Sequence, residues 1–333
     1  MLRVGVIGYG YWGPNIARNF HGLEGSRVEM ICDKHPDALI RAGRTFPGVS
    51  LTDDPCEIIR SSEIDIVAVV TPVWLHYDLA RSALEHGKHV FVEKPFTSNA
   101  SQALELIEIA ERKRLKIVVD HTFLFTGAVR KIKQLIDGGD LGKLYYYDST
   151  RVNLGLVQRD VNVIWDLAPH DLAVMSYVMQ TQPEALVATG QAHVNGHADV
   201  AFITLYFPGK MIAHINVNWL SPVKIRTTLI GGEKKMLVWN DIEGDEKLKV
   251  YDKGVDVVTK EGVYESRVNY RTGDMWAPRL EQTEALKSEL THFIDCIVHD
   301  RKPINDGIAG LRVVQMLEAT EKSLKERGEL VML

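Results

Sequence analysis

Glu93-Lys94-Pro95 follows the apolar run Val90-Phe91-Val92 and precedes a helix-like stretch that starts near Ser98. Such a run reads as a buried parallel strand, and open α/β sheets bind ligands outside the carboxyl ends of their strands. A lysine there directs an ammonium into a cleft, where it can hold a reacting oxygen and stabilise its developing negative charge. Glu93 can orient the ammonium, and Pro95 fixes the backbone. The competing reading is a plain surface lysine. A second candidate pair lies in Ile164-Trp165-Asp166-Leu167-Ala168-Pro169-His170. Residues four apart share one face of a helix. A carboxylate so placed stabilises an imidazolium and biases its tautomer, which suits proton transfer near neutral pH. The alternative is a helix cap at Asp166 and a buried structural histidine at His170. Pro169 is best tolerated in a first turn, which predicts that Asp166 stands at the start of the helix. Two ligands without a third make a poor metal site, and no metal is expected.

Near the amino terminus, Gly8-Tyr9-Gly10-Tyr11-Trp12-Gly13 follows a strand pattern and opens a helix pattern. Gly8 permits the tight turn, Gly10 the approach of a pyrophosphate, and Gly13 close packing of helix on strand. The helix start supplies amide donors to phosphates, and Pro14 suits a first helical turn. Asp33 stands where the dinucleotide fingerprint asks for an acid on the adenine ribose. Its charge repels a 2′-phosphate, which favours NAD over NADP; Lys34 blunts that repulsion, so NADP stays possible. The alternative for Asp33 is a cap on the helix after Pro36. The expected cofactor contacts are Gly8, Gly10, Tyr11, Trp12, Gly13, Asp33, Lys34, Thr71, Pro72, His76, Glu93 and Lys94. Thr71-Pro72 and His76 read either as a loop packed along the cofactor or as an ordinary turn with a solvent-facing histidine. Substrate contacts expected beside Lys94, Asp166 and His170 are His121, Arg151 and Asn153. Each of these three also has a purely structural reading, in a domain junction or at a sheet edge.

The elements that must position these groups are legible as two patterns. Strands at Leu2–Ile7, Arg27–Cys32, Val49–Leu51, Ile66–Val70, His89–Val92 and Lys116–Val119 alternate with helices at Pro14–His21, Pro36–Arg44, Leu75–His86 and Ala100–Arg112. That alternation predicts a parallel sheet of βαβ units. After Asp120 a helix over Gly127–Asp137 leads into strands at Leu144–Val152, Ala185–Ala192, Asp199–Phe207, Met211–Asn218, Lys224–Gly231 and Lys235–Trp239. Their turns imply hairpins and a mostly antiparallel sheet. Helices at Ile164–Met179, Thr283–His299 and Gly307–Arg327 complete the chain, and 241–280 shows little periodicity. The fold class expected is α/β: an N-terminal Rossmann domain (1–120) plus a C-terminal α/β domain (121–333).

The chain has 333 residues, net charge −5 and three scattered cysteines, with no basic block and no metal or disulfide spacing. About two domains, a reducing cytoplasm and no nucleic-acid partner are expected. Glycines follow the first residues too early for a signal peptide, and no apolar run approaches the roughly 18 residues of a membrane span.

With these motifs on the page, the chain resembles the glucose–fructose oxidoreductase / inositol dehydrogenase / rhizopine-catabolism (Gfo/Idh/MocA) family over essentially its whole length. The resemblance implies Lys94 and His170 as catalytic lysine and histidine, with Asp166 as companion. It implies hydride transfer between a secondary alcohol of a sugar or related ring and NAD or NADP. It also implies a large open sheet through which homodimers or homotetramers form. Where many members have glycines around the aspartate, this chain has Ile164-Trp165 and Ala168-Pro169. The segments Gly10–Asn15 and Trp165–His170 look like a subgroup acting on nucleotide-linked sugars. Open alternatives are a free polyol or inositol-type dehydrogenase, a hydride-shuttling enzyme, and a non-catalytic NAD-binding regulator. A regulator has no chemical need for Lys94, Asp166 and His170 together.

Overall fold

The computed structural model describes residues 1–155, 161–179, 181–258 and 267–333. The chain forms two compact units, Met1–Phe125 with Thr283–Gln315, and Thr126–Gln282 with Met316–Leu333.

The first unit carries a parallel sheet. Its strands are β1 (Leu2–Ile7), β2 (Ser26–Cys32), β3 (Ser50–Thr52), β4 (Ile66–Val69), β5 (His89–Val92) and β6 (Ile117–Val119), in the order β3-β2-β1-β4-β5-β6. The connecting helices are α1 (Gly13–His21), α2 (Pro36–Thr45), α3 (Pro55–Arg60), α4 (His76–Glu85) and α5 (Ala100–Lys113). The strand order reverses between β1 and β4, and that switch point opens a crevice at the carboxyl ends. Helix α3 has no counterpart in the sequence reading. It is a six-residue helix begun by Pro55 and capped by Asp54, whose side chain accepts from the Cys56 amide at 2.8 Å. Ile58 of α3 packs on β1 where Gly5 leaves room, since a Cβ on Gly5 would lie 2.3 Å from Ile58 Cγ2.

The second unit begins with α6 (Gly127–Asp137), β7 (Leu144–Leu154) and α7 (Val163–Val178). It continues through β8 (Ala185–Gln191), β9 (Val200–Tyr206), β10 (Ile212–Asn218), β11 (Leu220–Gly232), β12 (Met236–Asn240), β13 (Leu248–Val258) and β14 (Arg267–Trp276). With the terminal β15 (Val331–Met332) they form one sheet in the order β14-β13-β12-β11-β7-β10-β9-β8-β15. Only β7 and β10 pair in parallel; every other neighbour is antiparallel. One face is apolar and covered: Ala201, Ile203, Leu205, Ala213, Ile215 and Val217 are all 0% exposed. The opposite face shows Tyr206 paired with Ile212, and Ile212 with Tyr146. Strands β13 and β14 lie in the stretch without periodicity, of which 259–266 fall outside the described residues. Val250 is buried at the start of β13, but Val255 and Tyr270 are exposed, so the outer hairpin lacks a strict in/out alternation.

Two last helices follow, α8 (Ala285–Val298) and α9 (Gly307–Lys325). Helix α8 returns to the first unit because its apolar face (Leu286, Leu290, Phe293, Ile294) completes that unit's core beside Phe91 and Phe20. No helix among the described residues is long and apolar enough to cross a membrane.

Candidate functional site

The first unit gathers its candidate residues at the carboxyl ends of β1, β2, β4, β5 and β6. After β1 the chain turns at Gly8, with φ +102°, where a Cβ would fall 2.2 Å from the Val70 carbonyl oxygen. A Cβ on Gly13 would fall 2.3 Å from the Gly8 oxygen, whereas one on Gly10 would meet nothing within 4 Å. Two of the glycines therefore make the turn, and the third leaves open space over it. Tyr11 projects into solvent, 95% exposed, so only its backbone belongs to the turn. The Trp12 indole turns inward and donates to Asp120 Oδ2 at 2.8 Å.

Asp33 does not cap α2. Its Oδ2 accepts from the Tyr9 amide at 2.6 Å and its Oδ1 from the His35 amide at 2.8 Å. The carboxylate is thereby fixed beside the glycine turn with lone pairs to spare for hydroxyl donors. A cavity of about 410 Å³ is lined by Gly8, Gly10, Asp33, Lys34, Thr71 and Pro72 among others. Cys32 also lines it, its thiol pushed up to about 12 by burial, which removes it as a nucleophile at neutral pH. The Thr71 hydroxyl oxygen is sealed from solvent and has no hydrogen-bond partner among the described residues. An open glycine, a fixed acid and an orphan hydroxyl around one cavity fit a dinucleotide.

His76 is not a solvent-facing residue. It is 0% exposed, with Nδ1 at 2.9 Å from the Pro95 oxygen and Nε2 at 2.7 Å from the Thr71 oxygen. Burial lowers its pKa, and a neutral ring donates to one of the two carbonyls. The ring thus ties the loop after β4 to the loop after β5, which carries Lys94. Lys94 is half-buried, and its peptide bond to Pro95 is cis. His121 follows β6, 2% exposed, and burial lowers its pKa to about 4.

In the second unit, α7 carries Asp166 and His170. Asn162 caps it, its Oδ1 accepting from the Ile164 amide at 3.0 Å and the Trp165 amide at 3.1 Å. Three residues precede Asp166 in the helix, so Asp166 lies in the first turn and does not open it. Pro169 falls in the interior, where the N–H it lacks would have served the Trp165 carbonyl. Asp166 and His170 are half-buried in a helix that is otherwise largely sealed. Trp219, 1% exposed, donates from Nε1 to Asp166 Oδ2 at 3.1 Å. Sequence reasoning gave Trp219 no role; a buried indole N–H needs an acceptor, but nothing in the sequence says which.

Arg151 lies on β7, an interior strand between β11 and β10, and not at a sheet edge. Its Nε is 2.6 Å from Asp171 Oδ2 and its Nη2 3.2 Å from Asp171 Oδ1, with both side chains under 5% exposed. The Ser149 hydroxyl adds a third bond to Asp171 at 2.7 Å. The guanidinium is thus sealed from solvent and two of its nitrogens are committed to Asp171. Asn153 is half-buried two residues further along β7. Among the described residues, no group of three or more His, Cys, Asp or Glu is placed to hold a metal.

Comparison with known proteins agrees with this geometry. Residues 2–121 match the model of an oxidoreductase family with an NAD-binding Rossmann fold, and residues 129–238 match the GFO/IDH/MocA C-terminal domain. A UDP-N-acetylglucosamine 3-dehydrogenase from Acidithiobacillus ferrooxidans is 25% identical over 320 residues, 94% of each chain. Its solved structure superposes with a TM-score of 0.82, at 23% identity and 98% coverage of both chains. A scyllo-inositol 2-dehydrogenase (NAD(+)) from Bacillus subtilis is 23% identical over 91% of this chain and 88% of its own. An oxidoreductase from Agrobacterium radiobacter, solved with NAD+, L-tartaric acid and magnesium, has a TM-score of 0.82 at 17% identity, covering 99% of this chain and 98% of its own. The chain is a member of the Gfo/Idh/MocA family of NAD-binding oxidoreductases.

Proposed function

We propose that this chain is an NAD-dependent dehydrogenase that oxidises a ring hydroxyl of a nucleotide-linked sugar. The observation that carries the reading is Lys94, two residues past the end of β5 and in the same unit as the glycine turn, Asp33 and Thr71 that line the dinucleotide cavity. Gly8, Gly10 and Gly13 with the start of α1 hold the pyrophosphate, and Asp33 accepts from the adenine ribose. Bound NAD supplies the hydride acceptor. Lys94 binds the reacting oxygen and stabilises negative charge on it. His170 takes the hydroxyl proton, and Asp166, held by the Trp219 indole, steadies the resulting imidazolium. The two proton-handling roles exchange if Lys94 is the base.

The nucleotide-sugar substrate is favoured over a free polyol by the segments Gly10–Asn15 and Trp165–His170, and by the UDP-N-acetylglucosamine 3-dehydrogenase at 25% identity against 23% for two inositol dehydrogenases. Inositol dehydrogenases of similar coverage support the second reading. The protein works in the cytoplasm as a homodimer or homotetramer. The uncovered sheet face supports this, with Tyr206 and Ile212 both 40% exposed or more in one cross-strand row. The test is reduced-nicotinamide absorbance with NAD and UDP- or dTDP-linked sugars and uronates, set against inositol and glucose. Reduction with a nucleotide sugar alone supports the assignment. Reduction with a free polyol alone replaces the substrate and keeps the chemistry. NAD binding without turnover on any of them, unchanged by Lys94→Met, points to a regulator.

A further inference from the structure

The loop that carries Lys94 is fixed on either side of that residue. The Glu93 amide donates to the Val69 carbonyl at 2.9 Å, which carries the β4–β5 ladder one residue past β5. Phe96, 1% exposed, is wedged against α9, where a Cβ on Gly310 would fall 3.0 Å from Phe96 Cδ1 and 2.7 Å from Val119 Cγ2. Lys94 and Pro95 span the gap between these two anchors. Proline has no N–H, so its carbonyl is the one backbone group through which it can be hydrogen-bonded. The Pro95 carbonyl oxygen lies 2.9 Å from His76 Nδ1, and the contact is buried.

His76 opens α4 and is 0% exposed. Its Nε2 lies 2.7 Å from the Thr71 carbonyl oxygen, and Thr71 and Pro72 line the dinucleotide cavity. One imidazole therefore spans the distance between the cofactor loop and the residue after Lys94. A planar ring with two rotatable bonds, sealed on all sides, holds its neighbours with little play. Lys94 is the charged side chain that faces the ring, and a neutral imidazole keeps a second cation away from the ammonium.

We propose that His76 is a positioning residue for Lys94, its ring bracing the Pro95 carbonyl against the cofactor loop so that the ammonium stays turned into the crevice at the strand ends. With no exposed surface, His76 acts through the lysine and not on the reacting atoms. The proposal rests on the dehydrogenase reading only in giving Lys94 the reacting oxygen.

The first test needs no substrate. Trace acetylation of the purified protein, read by mass spectrometry of its lysine peptides, gives each ammonium its own rate. Lys88, just before β5, reports general loosening of the unit: it is 8% exposed and donates to the Ser61 and Ile64 carbonyls at 2.6 and 2.7 Å. His76→Leu is expected to label Lys94 at least about fivefold faster, the shift that one lost hydrogen bond puts on the balance of held and released forms, with Lys88 within about twofold of the parent. His76→Asn, whose amide nitrogen falls near the place of Nδ1, is expected to bring Lys94 back within about twofold. Where His76→Leu does not fold, His76→Gln, whose amide is one bond too long to meet the Pro95 carbonyl in the ring's place, carries the same test. An unchanged Lys94 rate, a Lys88 rate that rises by the same factor, or no recovery in His76→Asn overturns the proposal. With a sugar that the parent oxidises, His76→Leu should lower kcat at least about tenfold while the NADH dissociation constant stays within about threefold. Equal losses in the two overturn the positioning role. A parent that oxidises no sugar overturns the dehydrogenase reading instead, and leaves the labelling to decide on His76.

Discussion

Replacing Arg151 by Met separates a structural guanidinium from a substrate contact. Arg151 and Asp171 are 4% and 3% exposed at the side chain, and their shortest contact is 2.6 Å. At about 4 Å between charge centres and an effective dielectric of about 20, the attraction is about 4 kcal/mol. Removing Arg151 leaves a buried carboxylate still bonded to the Ser149 hydroxyl but without its counter-charge, a loss of about 3–5 kcal/mol. For a unit of this size that lowers the melting temperature by about 10 °C. The assay is urea unfolding followed by tryptophan fluorescence, with the thermal melt as a second reading. Asp171→Asn should lose a comparable amount, since it strands Arg151 instead. The double variant Arg151→Met/Asp171→Leu should recover most of the loss, because an apolar pair of similar volume commonly replaces a buried ion pair at little cost. An Arg151→Met protein as stable as the parent, with the Michaelis constant for its sugar raised tenfold or more, would refute this reasoning and make Arg151 a substrate ligand.

Lys94→Met should lower turnover by at least about a thousandfold while NADH still binds by fluorescence titration; retained turnover removes Lys94 from the chemistry. Gly10→Ala should melt within about 1 °C of the parent, because its Cβ meets nothing within 4 Å, yet weaken NAD at least about tenfold. Gly8→Ala should instead destabilise the fold by at least about 2 kcal/mol, from a positive φ and a clash with the Val70 carbonyl. Asp33→Ser should reduce the preference for NAD over NADP at least about tenfold in paired kcat/KM measurements. His121 gives a pH signature. Its folded pKa of about 4 lies below the unfolded value, so the unfolded chain binds the extra proton first. Its neutral burial therefore costs nothing above about pH 6.5, and stability falls as pH drops from there toward 4. His121→Gln should flatten that part of the stability profile relative to the parent, and parallel profiles would exclude His121 as its source.

The parallel half was legible because β1, β4, β5 and β6 are short, largely apolar runs between helix patterns. Leu2–Ile7 and His89–Val92 coincide with observed strands to the residue. Helix α3 escaped because a six-residue helix shows less than two turns of periodicity. The outer hairpin β13–β14 escaped because its exposed Val255 and Tyr270 break the alternation on which a strand reading depends. For the site, glycine spacing and Asp33 announce themselves because their roles are local in sequence. Partnerships across long separations do not. Trp12 and Asp120 are 108 positions apart, and Asp166 and Trp219 are 53 apart. The Arg151–Asp171 pair is hidden for the same reason, since Asp171 lies on the next helix and the strand pattern alone does not reveal it.

The two-residue strand β15 has a consequence for handling the protein. Val331 and Met332 pair with Leu186 and Ala185, and the Leu333 amide donates to the Glu184 carbonyl at 2.9 Å. Those few bonds occupy one end of β8, which otherwise bounds the nine-stranded sheet on that side. An open strand border is a template on which another chain can add itself. Val331 and Met332 thus act as a guard on a sticky margin, at the cost of only two paired positions. Substitutions that unpair Val331 and Met332 from β8 would bare that margin, so a preparation in which the pairing is kept is the one expected to stay in a single, well-dispersed form.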